Sequence, residues 1–246
     1  MEYFLGIDIG SSSVKVALVE VVTGKSAALV QEPENEMSML ALENGWAEQD
    51  PEDWWDLVCK AIKRVKKEAN ISRIQIKGIG ISYQMHGLVL VDEKGNLWRK
   101  SIIWCDSRAV EIGKTAYEEL GAEKCDRELL NSPANFTASK LKWVMENEPD
   151  LYDRINKFML PGDYIAYRFT GKINTTISGL SEGVFWNFKN NEPASFLLEH
   201  LGISEDLIPE ITDTFGFQGE VNDRGEKESQ IAIGTPILYR AGDQPN

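Results

Sequence analysis

A cluster of polar side chains near the start of the chain has the composition of a phosphate-binding turn. Two apolar, β-branched segments, residues 4–9 and 14–20, flank it and predict a β-hairpin. The turn and its edges carry a carboxylate, a glycine, three hydroxyls and an ammonium, from Asp8, Gly10, Ser11, Ser12, Ser13 and Lys15. Glycine lets the backbone approach a bulky anion, and N–H and O–H groups can surround phosphate oxygens. The carboxylate can hold a hydrated Mg²⁺, although an ordinary polar hairpin turn is the alternative interpretation.

Two further apolar segments, residues 74–83 and 235–241, are predicted strands. They are followed directly by polar groups, at Gln84, Met85 and His86 and at Gly242 and Asp243. Loops at the ends of rigid strands commonly present reactive groups, so both turns are candidate sites. Each also has a structural explanation, because His86 can be a hydrogen-bonded core histidine and Asp243 can simply begin a turn.

Several other chemistries lack their motifs in this sequence. It contains neither the Gly-x-x-x-x-Gly-Lys-Ser/Thr loop of P-loop enzymes nor a Gly-x-Ser-x-Gly nucleophile elbow. The two histidines, His86 and His200, are too few for a multi-histidine metal site. An aspartyl-phosphate phosphatase needs a second aspartate two residues after Asp8, where this chain has Gly10. The sequence therefore predicts neither these three classes of enzyme nor a multi-histidine metal site.

The composition is that of an ordinary globular protein, with 42% apolar and 26% charged residues. The net charge of −13 argues against nucleic-acid binding, because such proteins normally present a basic face. The one basic run, residues 60–67, alternates with apolar positions and so predicts the solvated face of a helix. No apolar segment approaches the roughly 18 residues of a membrane span. Neither nucleic acid nor a membrane is therefore an expected partner.

The cysteines, Cys59, Cys105 and Cys125, match no zinc or redox spacing, and their odd number argues against a disulfide framework. The first apolar run is short and follows Glu2, so it does not predict a signal peptide. A reducing cytoplasm is therefore the expected location. The chain ends just after an apolar run without a closing helix, which predicts a fragment of a longer protein.

The elements that position these turns follow from capping residues and periodicity. Asp50 as N-cap and Pro51 at the first helical position predict a helix to about residue 69. Its inward stripe is Trp55, Val58, Ile62 and Val65. Other predicted elements are a third strand over 25–32, a hairpin over 88–103, a short strand over 157–160, and helices over 109–120, from a Thr137 cap, over 163–169 and over 195–201. Residues 173–186 predict no definite element, and one compact unit is expected overall.

The order of these motifs resembles the FGGY family of sugar kinases, which shares the architecture of the actin and Hsp70 ATPases. Residues 8–15 resemble its first phosphate loop, and residues 84–87 look like the Met-His-Gly motif of its xylulose kinases. Residues 104–108, Trp-Cys-Asp-Ser-Arg, look like the family's Trp-x-Asp-x-Arg segment. Residues 136–143 and 160–164 are similar to two further segments, with Gly162 in place of a usual lysine. Asp243 falls where the family has its catalytic aspartate.

The resemblance implies an α/β domain of the actin-like ATPase (ribonuclease H-like) class, with a mixed central sheet flanked by helices. It implies Asp243 as the general base and Asp8 as the holder of Mg²⁺. The residues implied to meet the ATP phosphates are Gly10, Ser11, Ser12, Ser13 and Lys15. The residues implied on the sugar side are Gln84, Met85, His86, Trp104, Asp106 and Arg108. For Asp106 and Arg108 two roles stay open, a bond to a sugar hydroxyl or a salt bridge that holds the loop.

The expected reaction is therefore ATP-dependent phosphorylation of a sugar, with D-xylulose to D-xylulose 5-phosphate as the favoured case. Family kinases for gluconate, ribulose, rhamnulose or glycerol are the alternatives, and a non-catalytic actin-like nucleotide switch is a rival from another class. Family members have about twice this length, so residues 1–246 are expected to be the N-terminal domain, with the ATP clamp in a second domain. The isolated chain is then expected to be nearly inactive, and relatives suggest a homodimer.

Overall fold

The computed structural model describes residues 1–244. Its strands are β1 (Tyr3–Ile9), β2 (Val14–Glu20), β3 (Ser26–Glu32), β4 (Glu48–Gln49), β5 (Ile76–Tyr83), β6 (Val89–Val91), β7 (Ser101–Ile102), β8 (Lys157–Met159), β9 (Asn174–Thr176), β10 (Trp186–Asn187), β11 (Glu192–Pro193), β12 (Glu210–Thr212) and β13 (Ile237–Gly242). Its helices are α1 (Pro51–Glu68), α2 (Val110–Leu120), α3 (Ala122–Glu128), α4 (Thr137–Asn147), α5 (Pro149–Tyr152), α6 (Pro161–Thr170), α7 (Ile177–Glu182), α8 (Ser195–Leu201) and α9 (Asp223–Ser229).

The central sheet has five strands in the order β13-β5-β1-β2-β3. β5 runs parallel to both β1 and β13, whereas β2 is antiparallel to β1 and β3. The predicted hairpin and its third strand are therefore confirmed, and the sheet is mixed. Because β1, β5 and β13 run in the same direction, their carboxyl ends lie at the same edge of the sheet. All three polar turns singled out in the sequence follow these ends.

Helix α1 covers one face of this sheet. The Asp50 carboxylate accepts a hydrogen bond from the Glu52 N–H at 3.0 Å, and Pro51 occupies the first turn, as predicted. The side chains predicted to face inward are buried and are joined by Trp54; they are Trp55, Val58, Ile62 and Val65. Helix α1 contacts β2 and β3, and these side chains share one hydrophobic cluster with the buried side chains of β1 and β2. Burial of one such side chain contributes about 1.5–3 kcal/mol, so this face anchors the hairpin.

A second hydrophobic cluster lies among α2, α4, α8 and the short strands β6 and β8. Phe158 stacks on Phe185 within it, with ring centroids 4.3 Å apart. Helix α7 contributes Leu180 to this cluster and also contacts β13 of the central sheet. The end of α7 is therefore held against the strand that leads to Asp243.

The helices predicted over residues 109–120, 163–169 and 195–201 are confirmed as α2, α6 and α8. Helix α6 begins two residues earlier than predicted, at Pro161. Both α6 and α8 end at a glycine in the left-handed region, Gly171 with φ of 73° and Gly202 with φ of 70°. Glycine adopts this conformation without a steric penalty, which explains why these ends were readable from the sequence.

The prediction of a regular β-hairpin over residues 88–103 is wrong. Only isolated bridges join its two arms, Leu88 to Ile102 and Val91 to Leu97. β6 pairs instead with β8, and β7 pairs with β4. The partner of β6 thus comes from Lys157–Met159 and that of β7 from Glu48–Gln49, both distant in the chain.

Other boundaries also differ from the predictions. Thr137 is the first residue of α4, and Phe136 occupies the cap position. The strand predicted from residue 74 begins at Ile76, after a 3-10 turn. Residues 173–186, which predicted no definite element, contain β9, α7 and the start of β10.

The cysteines are free thiols, with Cys59 and Cys125 buried and Cys105 exposed. Across residues 1–244, no helix combines the length and the apolar character that crossing a bilayer requires.

Candidate active site

Backbone hydrogen bonds hold the three strand ends together at the edge of the sheet. The Gln84 N–H donates to the Ile9 carbonyl at 2.7 Å, and the Asp243 N–H donates to the Tyr83 carbonyl at 2.8 Å. Pairing therefore continues one residue beyond the strands. The first residues of the turns after β5 and β13, Gln84 and Asp243, are therefore fixed by the sheet.

The hairpin turn between β1 and β2 is tight and partly exposed. The Gly10 N–H donates to the Ser13 carbonyl at 3.0 Å. Asp8 and Lys15 are paired across the hairpin, with Lys15 Nζ 3.4 Å from Asp8 Oδ2. Ser12 is exposed and Ser13 is buried. The turn thus presents a cation, a carboxylate and hydroxyl groups at the same edge as Asp243.

Ser11 connects this turn to Trp104 and to the segment of Gln84. Its hydroxyl accepts a hydrogen bond from Trp104 Nε1 at 3.2 Å. Its carbonyl accepts one from Gln49 Nε2 at 2.6 Å, and Gln49 Oε1 in turn accepts from Gln84 Nε2 at 3.2 Å. A buried hydrogen-bonded path therefore joins the hairpin turn to the segment of Gln84. Gln49 was not predicted to have a role, since nothing in its local sequence indicates one.

A cavity of about 300 Å³ opens beside these turns, lined by Gln84, Met85, His86, Trp104, Asp243 and Gln244. All of these except Gln244 were predicted from the sequence as site residues. The Asp243 side chain is exposed there, and half of the Trp104 surface is exposed. The volume is at the lower end of the range for small-molecule sites. Hydroxyl-binding groups and a carboxylate thus face one small space.

His86 is held in a single orientation at this cavity. Its backbone is in the left-handed region, with φ of 62°. Its Nδ1 lies 2.8 Å from the Glu182 carbonyl oxygen, which can only accept, so Nδ1 carries the proton. Burial, and then the nearby Lys140 charge, lower the pKa of His86 to about 4, although the hydrogen bond to Glu182 opposes them. The neutral ring therefore keeps Nε2 as a hydrogen-bond acceptor.

We expect His86 to stay neutral from pH 8 down to about 5. Unfolded histidine has a pKa near 6.5, so the unfolded chain binds the proton first as the pH falls. The free energy of unfolding should therefore decrease between about pH 6.5 and pH 4. Imidazole NMR would show a midpoint near 4 and a protonated Nδ1, with His200 as internal reference. A midpoint near 6.5 would contradict the burial of this ring.

Lys140 contacts His86 from beneath the cavity. The sequence indicated it only as part of the segment 136–143, with no role of its own. Its side chain is fully buried in α4, and Nζ donates to the His86 carbonyl at 2.8 Å. Burial lowers the pKa of Lys140 to about 7, and nearby Asp106 and Cys105 partly oppose this. Either protonation state can donate, so the unusual backbone conformation of His86 keeps its anchor. Nothing in the sequence predicted that the long, charged side chain of Lys140 would be buried.

Asp106 and Arg108 form a buried ion pair beneath the loop. Asp106 Oδ2 accepts from the Ala47 N–H at 2.6 Å and from Arg108 Nη2 at 2.7 Å. Arg108 also pairs with Glu48 at 2.8 Å, and its guanidinium lies 3.8 Å from the Trp46 ring centroid. Neither residue lines the cavity. Of the two roles left open by the sequence, this arrangement favours the salt bridge that holds the loop.

The glycine that departs from the family pattern has a steric reason. A Cβ at Gly162 would overlap the ring of Tyr83, which is fully buried at the end of β5. Tyr83 thus packs directly on the first turn of α6. Next to Gly162, Asp163 forms a buried ion pair with Arg240 of β13 at 2.8 Å. Helix α6 therefore holds both strands that lead to the cavity.

Residues 3–246 match the FGGY family of carbohydrate kinases, N-terminal domain. The chain belongs to the FGGY family. The actin-like ATPase fold class, with a mixed sheet flanked by helices, is thereby confirmed along with the resemblance. The match includes all three strand ends and the cavity between them.

Individual relatives agree with this assignment. The xylulose kinase of Staphylococcus xylosus is 32% identical over 244 residues, which are 98% of this chain and 49% of that protein. The crystal structure of xylulose kinase from Rhodospirillum rubrum has a TM-score of 0.90 at 23% identity, covering 99% of this chain and 49% of that one. Gluconate kinase from Lactobacillus acidophilus has a TM-score of 0.88 at 25% identity, covering 98% and 48%. The chain spans about half the length of the curated relatives it matches.

Proposed function

We propose that this chain is the sugar-binding half of an ATP-dependent kinase that converts D-xylulose to D-xylulose 5-phosphate. The observation that carries the proposal is the cavity of about 300 Å³ in which Asp243 lies with Met85 and His86. The hairpin turn suited to phosphate is at the same sheet edge. The xylulose kinases among the relatives support the choice of sugar.

In this proposal Asp243 is the general base. Its carboxylate takes the proton of a sugar hydroxyl while that oxygen bonds to the γ-phosphorus of ATP. The bond from this phosphorus to the β–γ bridging oxygen breaks, and ADP leaves. Asp243 suits the role because it is exposed in the cavity and its backbone is fixed by the Tyr83 carbonyl. Met85 packs against the sugar, and His86 Nε2 accepts a hydrogen bond from a hydroxyl.

The hairpin turn is proposed to meet the phosphates of ATP. Lys15 supplies positive charge, and N–H and O–H groups come from Gly10, Ser11, Ser12 and Ser13. Asp8 would be the residue that holds Mg²⁺, since this ion commonly uses only one or two carboxylates. Within the described residues no group of three potential ligands could enclose a metal. When bound, Mg²⁺ neutralises charge on the transferring phosphate.

We further propose that a second domain of the same protein completes the ATP site. The relatives have about twice the length of this chain. On the sheet face opposite α1, Phe4 and Leu29 are 41% and 62% exposed beside a largely apolar groove that ends at Asp8 and Lys15. Apolar surface of this kind is usually covered in a functional protein. The isolated chain is then expected to bind sugar with negligible turnover.

The alternatives differ in substrate or in class. The structural similarity to a gluconate kinase makes gluconate the second candidate substrate. Ribulose, rhamnulose and glycerol kinases stay alternatives within the family, while Met85 and His86 favour xylulose. A non-catalytic nucleotide switch has no use for a cavity of hydroxyl-binding groups. The cytoplasmic location and the homodimer stay predictions.

Calorimetry with sugar alone tests the proposal. We expect the chain to bind D-xylulose without nucleotide, more tightly than D-gluconate, D-ribulose or glycerol. His86→Leu should weaken binding by about tenfold, because the hydrogen bond to the hydroxyl is lost and its partner is left unpaired. His200→Leu is the matched control and should leave the affinity unchanged. Binding of no member of the panel would contradict the sugar site, and tighter binding of gluconate would replace the substrate.

A further inference from the structure

Glu182 lies beneath the sugar cavity, where it touches both strand ends that carry site residues. It is the last residue of α7 and is 5% exposed. Its carbonyl accepts the hydrogen bond from His86 Nδ1. Its carboxyl packs directly on Gly242, where an added Cβ would overlap Glu182 Oε2 and lie 2.6 Å from Met85 Cγ. One residue therefore contacts the segment of Met85 and His86 and the segment of Asp243.

Within residues 1–244, no cationic side chain forms a salt bridge with the carboxyl of Glu182. Arg240 of β13 is committed to Asp163 and Asn174, and Lys140 of α4 donates to the His86 carbonyl. Burial, followed by the charge of Asp163, raises the pKa of Glu182 well above its usual range.

The remaining neighbours of this carboxyl act in both directions. The charge of Asp243 also raises the pKa of Glu182, whereas Tyr83 of β5 and the His86 backbone act to lower it. The net effect raises the pKa of Glu182, which favours its neutral, protonated form.

We propose that Glu182 is a positioning residue that holds the ends of β5 and β13 at a fixed separation beneath the sugar cavity. The side chain fills the space over Gly242, and the carbonyl selects the tautomer of His86. An ionised Glu182 would place a second negative charge beside Asp243 and push this strand end away. The effect on sugar binding rests on the proposed function, whereas the packing itself does not.

Three variants test this inference. Glu182→Gln keeps the size and is neutral, so D-xylulose affinity at pH 7 should stay within about threefold of the unmodified chain. Glu182→Ala leaves a space beneath Gly242 and should weaken binding by at least about tenfold. The matched control is Glu199→Gln, an exposed residue of α8, which should change nothing. A tenfold loss in Glu182→Gln would overturn the proposal, because it would show that the charged carboxylate is required.

NMR provides a measurement that is independent of the sugar. The Met85 methyl and His86 Nδ1–H signals should stay close to those of the unmodified chain in Glu182→Gln and shift in Glu182→Ala. If Glu182→Ala does not fold, Glu182→Gln alone decides. The inference is then overturned if both signals of Glu182→Gln shift as far as those of side chains that have lost their packing. If the unmodified chain binds no pentulose, the proposed function fails while these signals still decide the role of Glu182. Unshifted signals in a folded Glu182→Ala would overturn the positioning role alone.

Discussion

Replacing Asp243 with asparagine is expected to lower turnover at least a hundredfold while sugar affinity stays within about threefold. The amide keeps the shape of the side chain in the cavity but cannot take the proton of the attacking hydroxyl. Positioned general bases contribute about 10²–10⁴ to a rate. In the proposed function, sugar binding depends mainly on Met85 and His86, which the substitution leaves in place. A loss confined to kcat is the signature of an interaction made only in the transition state.

The rate should be measured by ADP release in the full-length kinase of which we propose this chain to be the N-terminal half. Affinity for D-xylulose should be measured on the chain itself. Asp56→Asn, at an exposed position of α1, is the matched control and should retain full activity. Turnover by Asp243→Asn at the unmodified rate would remove Asp243 as the base.

Asp106→Ala is expected to lower the free energy of unfolding by about 3–5 kcal/mol. Asp106 is fully buried, and its loss leaves the Arg108 guanidinium without one of its two carboxylate partners and the Ala47 N–H without an acceptor. Removal of one member of a buried ion pair is costly because the other charge stays away from water. Urea unfolding of the chain at pH 7 measures the change.

Glu111→Ala provides the comparison. Glu111 pairs with Lys114 at 2.8 Å, but its side chain is 83% exposed, so its removal should cost less than about 1 kcal/mol. The folded fraction of Asp106→Ala should bind D-xylulose with nearly unchanged affinity, since Asp106 does not line the cavity. Unchanged stability together with lost sugar binding would instead show that Asp106 bonds a sugar hydroxyl.

Much of the central sheet was predictable because it depends on local rules. Alternation of apolar residues on both sides of a glycine-containing turn predicted β1 and β2. The cap at Asp50 and the apolar stripe that includes Trp55 predicted α1 to within one residue of its end. Gly171 and Gly202 marked two helix ends, because glycine adopts the left-handed region without a steric penalty. These signals depend on neighbours within a turn or two of the chain.

The site was predictable to the extent that it lies at strand ends. The polar residues that follow β1, β5 and β13 could be recognised one segment at a time. Their convergence depends on β5 lying between β1 and β13, and strand order involves residues more than 150 positions apart. The short strand β6 shows the same dependence, because its partner β8 was not the nearest apolar segment.

The residues that the sequence did not indicate are those whose role comes from their surroundings. Lys140 and Glu182 are ordinary charged residues on short or moderately apolar helices, and surface exposure was the natural expectation for both. Packing of α4 and α7 around the cavity buries them. Burial lowers the pKa of Lys140 and raises the pKa of Glu182, which in each case favours the neutral form. The types and order of the reactive residues were thus determined by the sequence alone. Tertiary contacts decided which of these residues meet and which charged side chains are buried beneath them with shifted pKa values. Desolvation depends on the folded surroundings and not on the residue type.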